Sequence, residues 1–222
     1  MTVILPILLL GLMASLSPST IVVFILLLLG TARARVNALA FLLGWGLSLT
    51  VVFIASYALG ATQDSPRHGH TAVELAEVLL GFVLIGVAVR QWRRKDTPGE
   101  KKAVGGADRF TGRLKGLKPW GAVVVGILKQ PWAITAAAAL VVVDHHTDLP
   151  LTVIAFACFT VVSTATVALI FLYYARSPEE ARAGLVVLQD RVMAAGPGVF
   201  AVVALVVGVF LIADGWLGLK GT

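Results

Sequence analysis

Apolar residues run along this chain in long blocks rather than in alternation. The blocks cover about Thr2–Gly30, Val36–Gly60, Ala72–Gln91, Pro119–Val143, Leu151–Ala175 and Gly198–Leu217. Each is close to or above the ~20 residues a helix needs to cross a ~30 Å hydrocarbon layer. Barrel strands would alternate apolar and polar positions, and these runs do not. The pattern predicts six membrane-spanning helices. Two runs carry an interruption. The first contains "ASLSPSTIVVFILLLLG", where Pro18 is surrounded by Ser15, Ser17, Ser19 and Thr20. The fourth contains "ILKQPWAIT", where Pro131 follows Lys129 and Gln130 and precedes Thr135. Proline removes a backbone donor and clashes with the preceding turn, so a break is expected in each.

Between the third and fourth runs lies a polar stretch, and a short fifth loop separates the last two. Ser177-Pro178-Glu179-Glu180 has a capping serine, a proline at the first helical position and a glutamate three residues in. Leu185, Leu188 and Val192 share one face beyond it. The pattern predicts a short amphipathic helix near 178–194 on the inner membrane surface, stopped by Gly196-Pro197. The chain divides into a first three-helix repeat (1–92), a basic linker (93–118) and a second three-helix repeat (119–222).

Composition agrees with the pattern. Of 222 residues, 58% are hydrophobic and 14% charged, with mean hydropathy +0.92, against about 25% charged in soluble domains. The first run is too long for a signal-peptide core and has no basic residue before it, so it is read as retained. Charge gives orientation. From Arg93 to Lys118 there are nine Lys/Arg against Asp96, Glu100 and Asp108, an excess equal to the whole net charge of +6. Arg33 and Arg35 follow the first run, and Arg176, Arg182 and Arg191 follow the fifth. The positive-inside rule then places these loops in the cytoplasm and both termini outside a plasma (inner) membrane. The basic loop lacks interleaved aromatics, so no nucleic-acid partner is expected. Anionic lipid head groups are its expected partners.

With one run outside-to-inside and the other inside-to-outside, the two breaks fall in oppositely oriented halves. The expected fold is all-α and integral to the membrane: six transmembrane helices as two inverted three-helix repeats, with helices 1 and 4 broken by proline. Such paired breaks mark the central site of a transporter. Ser17, Pro18, Ser19, Thr20, Lys129, Gln130, Pro131 and Thr135 are the candidate substrate-binding residues. Lys129 lies about 15 Å into its span, where a charge costs at least ~2.5 kcal/mol, and no acid of the sequence maps near it. The alternative is that it snorkels to the interface.

Other features carry less. His68, His70, His145 and His146, with Asp144 and Asp148, sit in the two outer loops and offer a weak divalent-cation reading. No metal, cofactor or catalytic residue is expected, and the protein is not expected to be an enzyme. Cys158 is the single cysteine, so no internal disulfide forms. Gly44 and Gly46 are read as close helix packing, and tryptophans as interface anchors.

"LSPSTIVVFILLLLGTARARVNALAFLLGWGLS", the basic central loop and the second proline together resemble the GAP/Sap-type proteins of actinobacteria, within the L-lysine exporter (LysE) superfamily. The resemblance implies six helices in two inverted halves and export across the inner membrane. Named members are associated with delivering glycopeptidolipids or sulfolipid to the cell surface. Related thiol-electron carriers place a cysteine after the first proline. Here the position is Ser19, which excludes that chemistry. The second motif reads Gln130-Pro131 where the family's usual form is Asn-Pro.

Three functions remain in view. The leading expectation is an exporter of a lipid-linked or amphiphilic anionic substrate, with a membrane lipid or glycolipid as partner and a homodimer or larger export complex as its assembly. The alternatives are an exporter of an amino acid, other small solute or divalent cation, and a non-transporting accessory subunit of a lipid-export complex.

Overall fold

A computed structural model of the chain describes residues 3–61, 69–94, 116–145 and 147–221. These form helices, with no strand among them. In chain order they are α1 (Ile4–Ser15), α2 (Pro18–Gly30), α3 (Ala34–Ala61), α4 (Gly69–Arg94), α5 (Pro119–Lys129), α6 (Trp132–Asp144), α7 (Leu149–Arg176) and α8 (Pro178–Gly221). The order repeats: a broken pair, a helix of 28 residues, then a further helix.

The proline expectations hold. Pro18 opens α2 and Pro119 opens α5 at positions where no backbone donor is missed. The break between α1 and α2 bends the chain by 49°, and that between α5 and α6 by 57°. Among the described residues, two single helices, α3 and α7, are long and apolar enough to cross a membrane, or up to four spans if each bent pair is one. Shorter apolar helices cover Gly81–Arg90 in α4 and Ala201–Ala213 in α8.

Each broken pair sends its first half across to the other half of the chain. α1 packs on α7, and α5 packs on α3, while α4 and α8 pair most extensively of all. Small residues permit the close crossings. A methyl group on Gly44 would lie 2.1 Å from the Val123 carbonyl oxygen, and one on Gly126 would lie 2.2 Å from that of Phe41. α3 and α5 therefore touch backbone to backbone. Gly81 and Gly208 do the same for α4 and α8, at 2.7 and 2.8 Å. Gly46 has nothing within 4 Å, so the close-packing expectation holds for Gly44 and fails for Gly46. The Trp45 indole is also not an interface anchor. It is buried, stacked on Phe41, which in turn meets Phe24 at 5.1 Å.

The expectation of a short helix ending at Gly196-Pro197 is corrected. α8 runs unbroken from Pro178 through that pair to Gly221. A proline removes one helical hydrogen bond, which a neighbouring helix can offset. α4 runs alongside α8 here, and Trp92 lines one groove with Ala195 and Gly198 on either side of the pair. The predicted apolar face turns inward: Leu185 is fully buried with Ala181, and Leu188 and Val192 pack on the core. At 44 residues, α8 is about 66 Å long, more than twice the ~30 Å apolar layer. The basic linker from 95 to 115 lies outside the described residues.

Candidate functional site

The two breaks meet. The Thr20 hydroxyl, on the first turn of α2, donates to the Lys129 carbonyl at the end of α5, 3.3 Å away across 109 residues of sequence. It also lies 3.2 Å from Ser17 Oγ, so its single proton is shared. Ser17 Oγ is 3.4 Å from the Ser19 hydroxyl. Thr20 is buried, Ser17 and Pro18 are half-buried and Ser19 is exposed. The last carbonyls of a helix have no partner within it, and at Lys129 the opposite break supplies one.

The second break has its own repairs. Pro131 has no N–H to give the carbonyl of Ile127, four residues earlier. The Trp132 indole N–H takes its place, 3.0 Å from that oxygen. The Gln130 side chain is buried and donates from Nε2 to the Thr135 hydroxyl. Its Oε1 is buried and has no hydrogen-bond partner among the described residues. An orphaned buried amide oxygen costs roughly 1–3 kcal/mol, and it can accept from any donor entering the break.

Lys129 is half-buried and is the last residue of α5. A cation there is favoured by the negative end of the helix dipole, by about 0.3–1 kcal/mol. Thus a carbonyl, a buried amide and a lysine share one short segment, Lys129–Pro131, with Thr20 in contact. Ser17, Thr20, Lys129, Gln130 and Thr135 are joined through these bonds or by direct succession, with Pro18 and Pro131 creating the breaks. Ser19 stands at the exposed edge.

Three residues here were not in the candidate binding set. Ser15, one of the hydroxyls noted around Pro18, reaches α7, 2.6 Å from the Thr166 hydroxyl and within 3.3 Å of its amide. Asn37 is buried and holds the entry to α5, Nδ2 donating to the Leu117 carbonyl at 3.1 Å, with Oδ1 unpartnered among the described residues. Trp132 was the third. A tryptophan directly after the proline was its only sequence signal. Of the acids and histidines that offered a divalent-cation reading, Asp148 and His145 have structural tasks. Asp148 caps α7 by accepting from the Leu151 amide at 3.1 Å, and His145 Nδ1 lies 2.9 Å from the Val141 carbonyl. No group of three or more metal-ligating side chains occurs among the described residues. His68 and His146 lie outside them.

Apolar helices of spanning length, and two proline breaks joined through side chains in a chain this poor in charge, define a helical membrane protein with a polar junction inside it. The chain belongs to the family of Sap, the sulfolipid-1-addressing protein, whose family model matches residues 7–217. Comparison with curated proteins and with solved structures finds no match.

Proposed function

We propose that this protein is a small inner-membrane exporter that moves a lipid-linked or amphiphilic anionic substrate toward the cell surface. Membership of a sulfolipid-addressing family supports a lipid-linked role. The observation that carries the site is the contact of the two breaks, Thr20 to the Lys129 carbonyl. Broken helices put backbone carbonyls and amides where a substrate can use them. In this reading Lys129 meets the anionic group, while Gln130 and Thr135, with Ser17, Ser19 and Thr20, hydrogen-bond the polar part of the cargo.

The same reading makes each broken pair one span, so that α3, α4, α7 and the apolar part of α8 complete six. The halves are inverted repeats. Their reciprocal packing supports this: α1 lies on α7 as α5 lies on α3. Both termini face outward and the basic linker inward. No nucleotide-binding motif occurs in the sequence, so an ion gradient or a partner supplies the energy.

Two experiments test these statements. A Thr20→Val, Gln130→Leu double variant removes two of the polar side-chain groups of the junction while nearly keeping their size. Surface lipid extracted from cells that depend on this protein is expected to fall roughly tenfold at equal protein level, the worth of one lost substrate hydrogen bond. Undiminished surface lipid would remove the junction from the transport path. For orientation, single cysteines are placed in a Cys158→Ala background. An impermeant thiol reagent applied to intact cells is expected to label Thr222→Cys and spare Gly105→Cys. The reverse pattern would invert the whole arrangement.

A further inference from the structure

Three buried side-chain polar atoms have no hydrogen-bond partner among the described residues: Asn37 Oδ1, Trp45 Nε1 and Gln130 Oε1. Gln130 belongs to the junction, and Asn37 holds the entry to α5. The Trp45 indole N–H is used by neither. A buried tryptophan N–H usually finds an acceptor, and leaving it without one is costly. Trp45 is only 1% exposed, so bulk water does not serve it.

Helix register puts this donor at the level of the junction. α2 and α3 are joined by the short turn 31–33 and run back along each other. Phe24 of α2 meets Phe41 of α3 with ring centroids 5.1 Å apart. The Trp45 ring lies one turn beyond Phe41, stacked on it at 6.1 Å, and Thr20 lies one turn before Phe24. In antiparallel neighbours these two steps lead the same way, so the indole and the Thr20 hydroxyl share a level. α5 approaches the same place, running parallel to α3. Asn37 holds the Leu117 carbonyl, and further along both helices a methyl group on Gly126 would lie 3.0 Å from the Trp45 amide nitrogen. Gln130 follows Gly126 by four residues, on the same face. Thr20, Trp45 and Gln130 therefore converge from α2, α3 and the end of α5.

We propose that the Trp45 indole N–H is a further substrate-binding group of this junction and donates to an oxyanion oxygen of the cargo, a sulfate or phosphate ester. This rests on the export reading of the junction. Chemistry narrows the ligand. An indole N–H only donates, so whatever meets it must bring an acceptor. Lys129, which also only donates, ends α5 beside Gln130. The Gln130 amide can present either end, because its partner, the Thr135 hydroxyl, both donates and accepts. A group with several acceptor oxygens and a negative charge satisfies all three. A neutral hydroxyl would leave the lysine charge unmatched. The oxygen reaches the buried indole when the two breaks part. The contact that holds them there is one hydroxyl bond of 3.3 Å, and its proton is shared with Ser17 Oγ.

The test replaces Trp45 in the full chain with 3-benzothienylalanine, which has the shape of tryptophan and carries sulfur in place of the N–H. The protein is placed in phosphatidylcholine nanodiscs containing either a sulfated galactosylceramide or the same lipid without its sulfate. Lipid retained after detergent extraction is counted by native mass spectrometry, and thermal unfolding is followed in parallel. The wild-type chain is expected to prefer the sulfated lipid. The replacement is expected to lower retention of the sulfated lipid roughly tenfold, the worth of one hydrogen bond to a charged oxygen. Retention of the unsulfated lipid and the melting midpoint should not fall, since ring packing on Phe41 is kept and an orphaned donor is removed. A lower midpoint with unchanged retention would make the N–H a purely structural group and overturn the proposal. Equal loss of both lipids, or no wild-type preference between them, would overturn the oxyanion. Full retention in the replaced protein, with loss in Lys129→Met, would remove Trp45 and leave the junction standing. Full retention in both variants would remove the junction as the binding site, and the role of Trp45 with it.

Discussion

Gly44→Ala is expected to destabilise the protein more than any other single methyl added to α3. The new carbon would sit 2.1 Å from the Val123 carbonyl oxygen, with the Val123 carbonyl carbon and Cα at 2.8 and 2.9 Å. All three are backbone atoms, so no rotamer change relieves the clash. α5 would have to move off α3. Gly126→Ala meets the same wall from the other side, at Phe41 O and Trp45 N. Overpacking of this kind costs about 1–3 kcal/mol and more where backbone must shift. Gly46→Ala is the matched control: it has nothing within 4 Å, and exchanging glycine for alanine in a helix gains up to ~1 kcal/mol. Thermal unfolding in detergent, read by size-exclusion fluorescence, should rank Gly46→Ala at or above wild type and Gly44→Ala well below it. Equal midpoints for the two variants would mean that α3 and α5 do not cross as described.

Lys129→Met is expected to abolish lipid export while leaving the fold intact. The substitution keeps length and apolar packing. It removes an insertion cost of ~2.5–3.5 kcal/mol against a helix-end gain of only about 0.3–1 kcal/mol, so the variant should melt no lower than wild type. No salt bridge to Lys129 is present among the described residues that would be broken. Its backbone carbonyl, which receives the Thr20 hydroxyl, is untouched by the change. The variant therefore separates the lysine's charge from the contact between the breaks. Lys129→Arg should recover only part of the activity, because a planar fork does not replace a compact ammonium. Normal surface lipid from the Lys129→Met protein would show that the lysine reaches for the interface and takes no part in the site.

The sequence by itself determined where the helices lie and where they break. Long apolar runs leave the backbone no partner but its own, so helix is the available solution in lipid. A proline inside such a run forces a break locally, whatever surrounds it. Ile4–Gly30, Ala34–Ala61, Pro119–Asp144 and Leu149–Arg176 follow directly. The candidate residues Thr20, Lys129, Gln130 and Thr135 were legible too, because polar groups in an apolar run need a reason. Other features were decided only by tertiary structure. That Thr20 meets the Lys129 carbonyl depends on packing between segments 109 residues apart, which no local pattern encodes. Gly44 and Gly46 look alike in sequence, yet only Gly44 faces α5, since which side of an all-apolar helix turns inward has no polar stripe to mark it. The Gly196-Pro197 pair reads as a stop signal, but α8 continues through it while packed along α4, a tertiary contact that the local sequence does not encode.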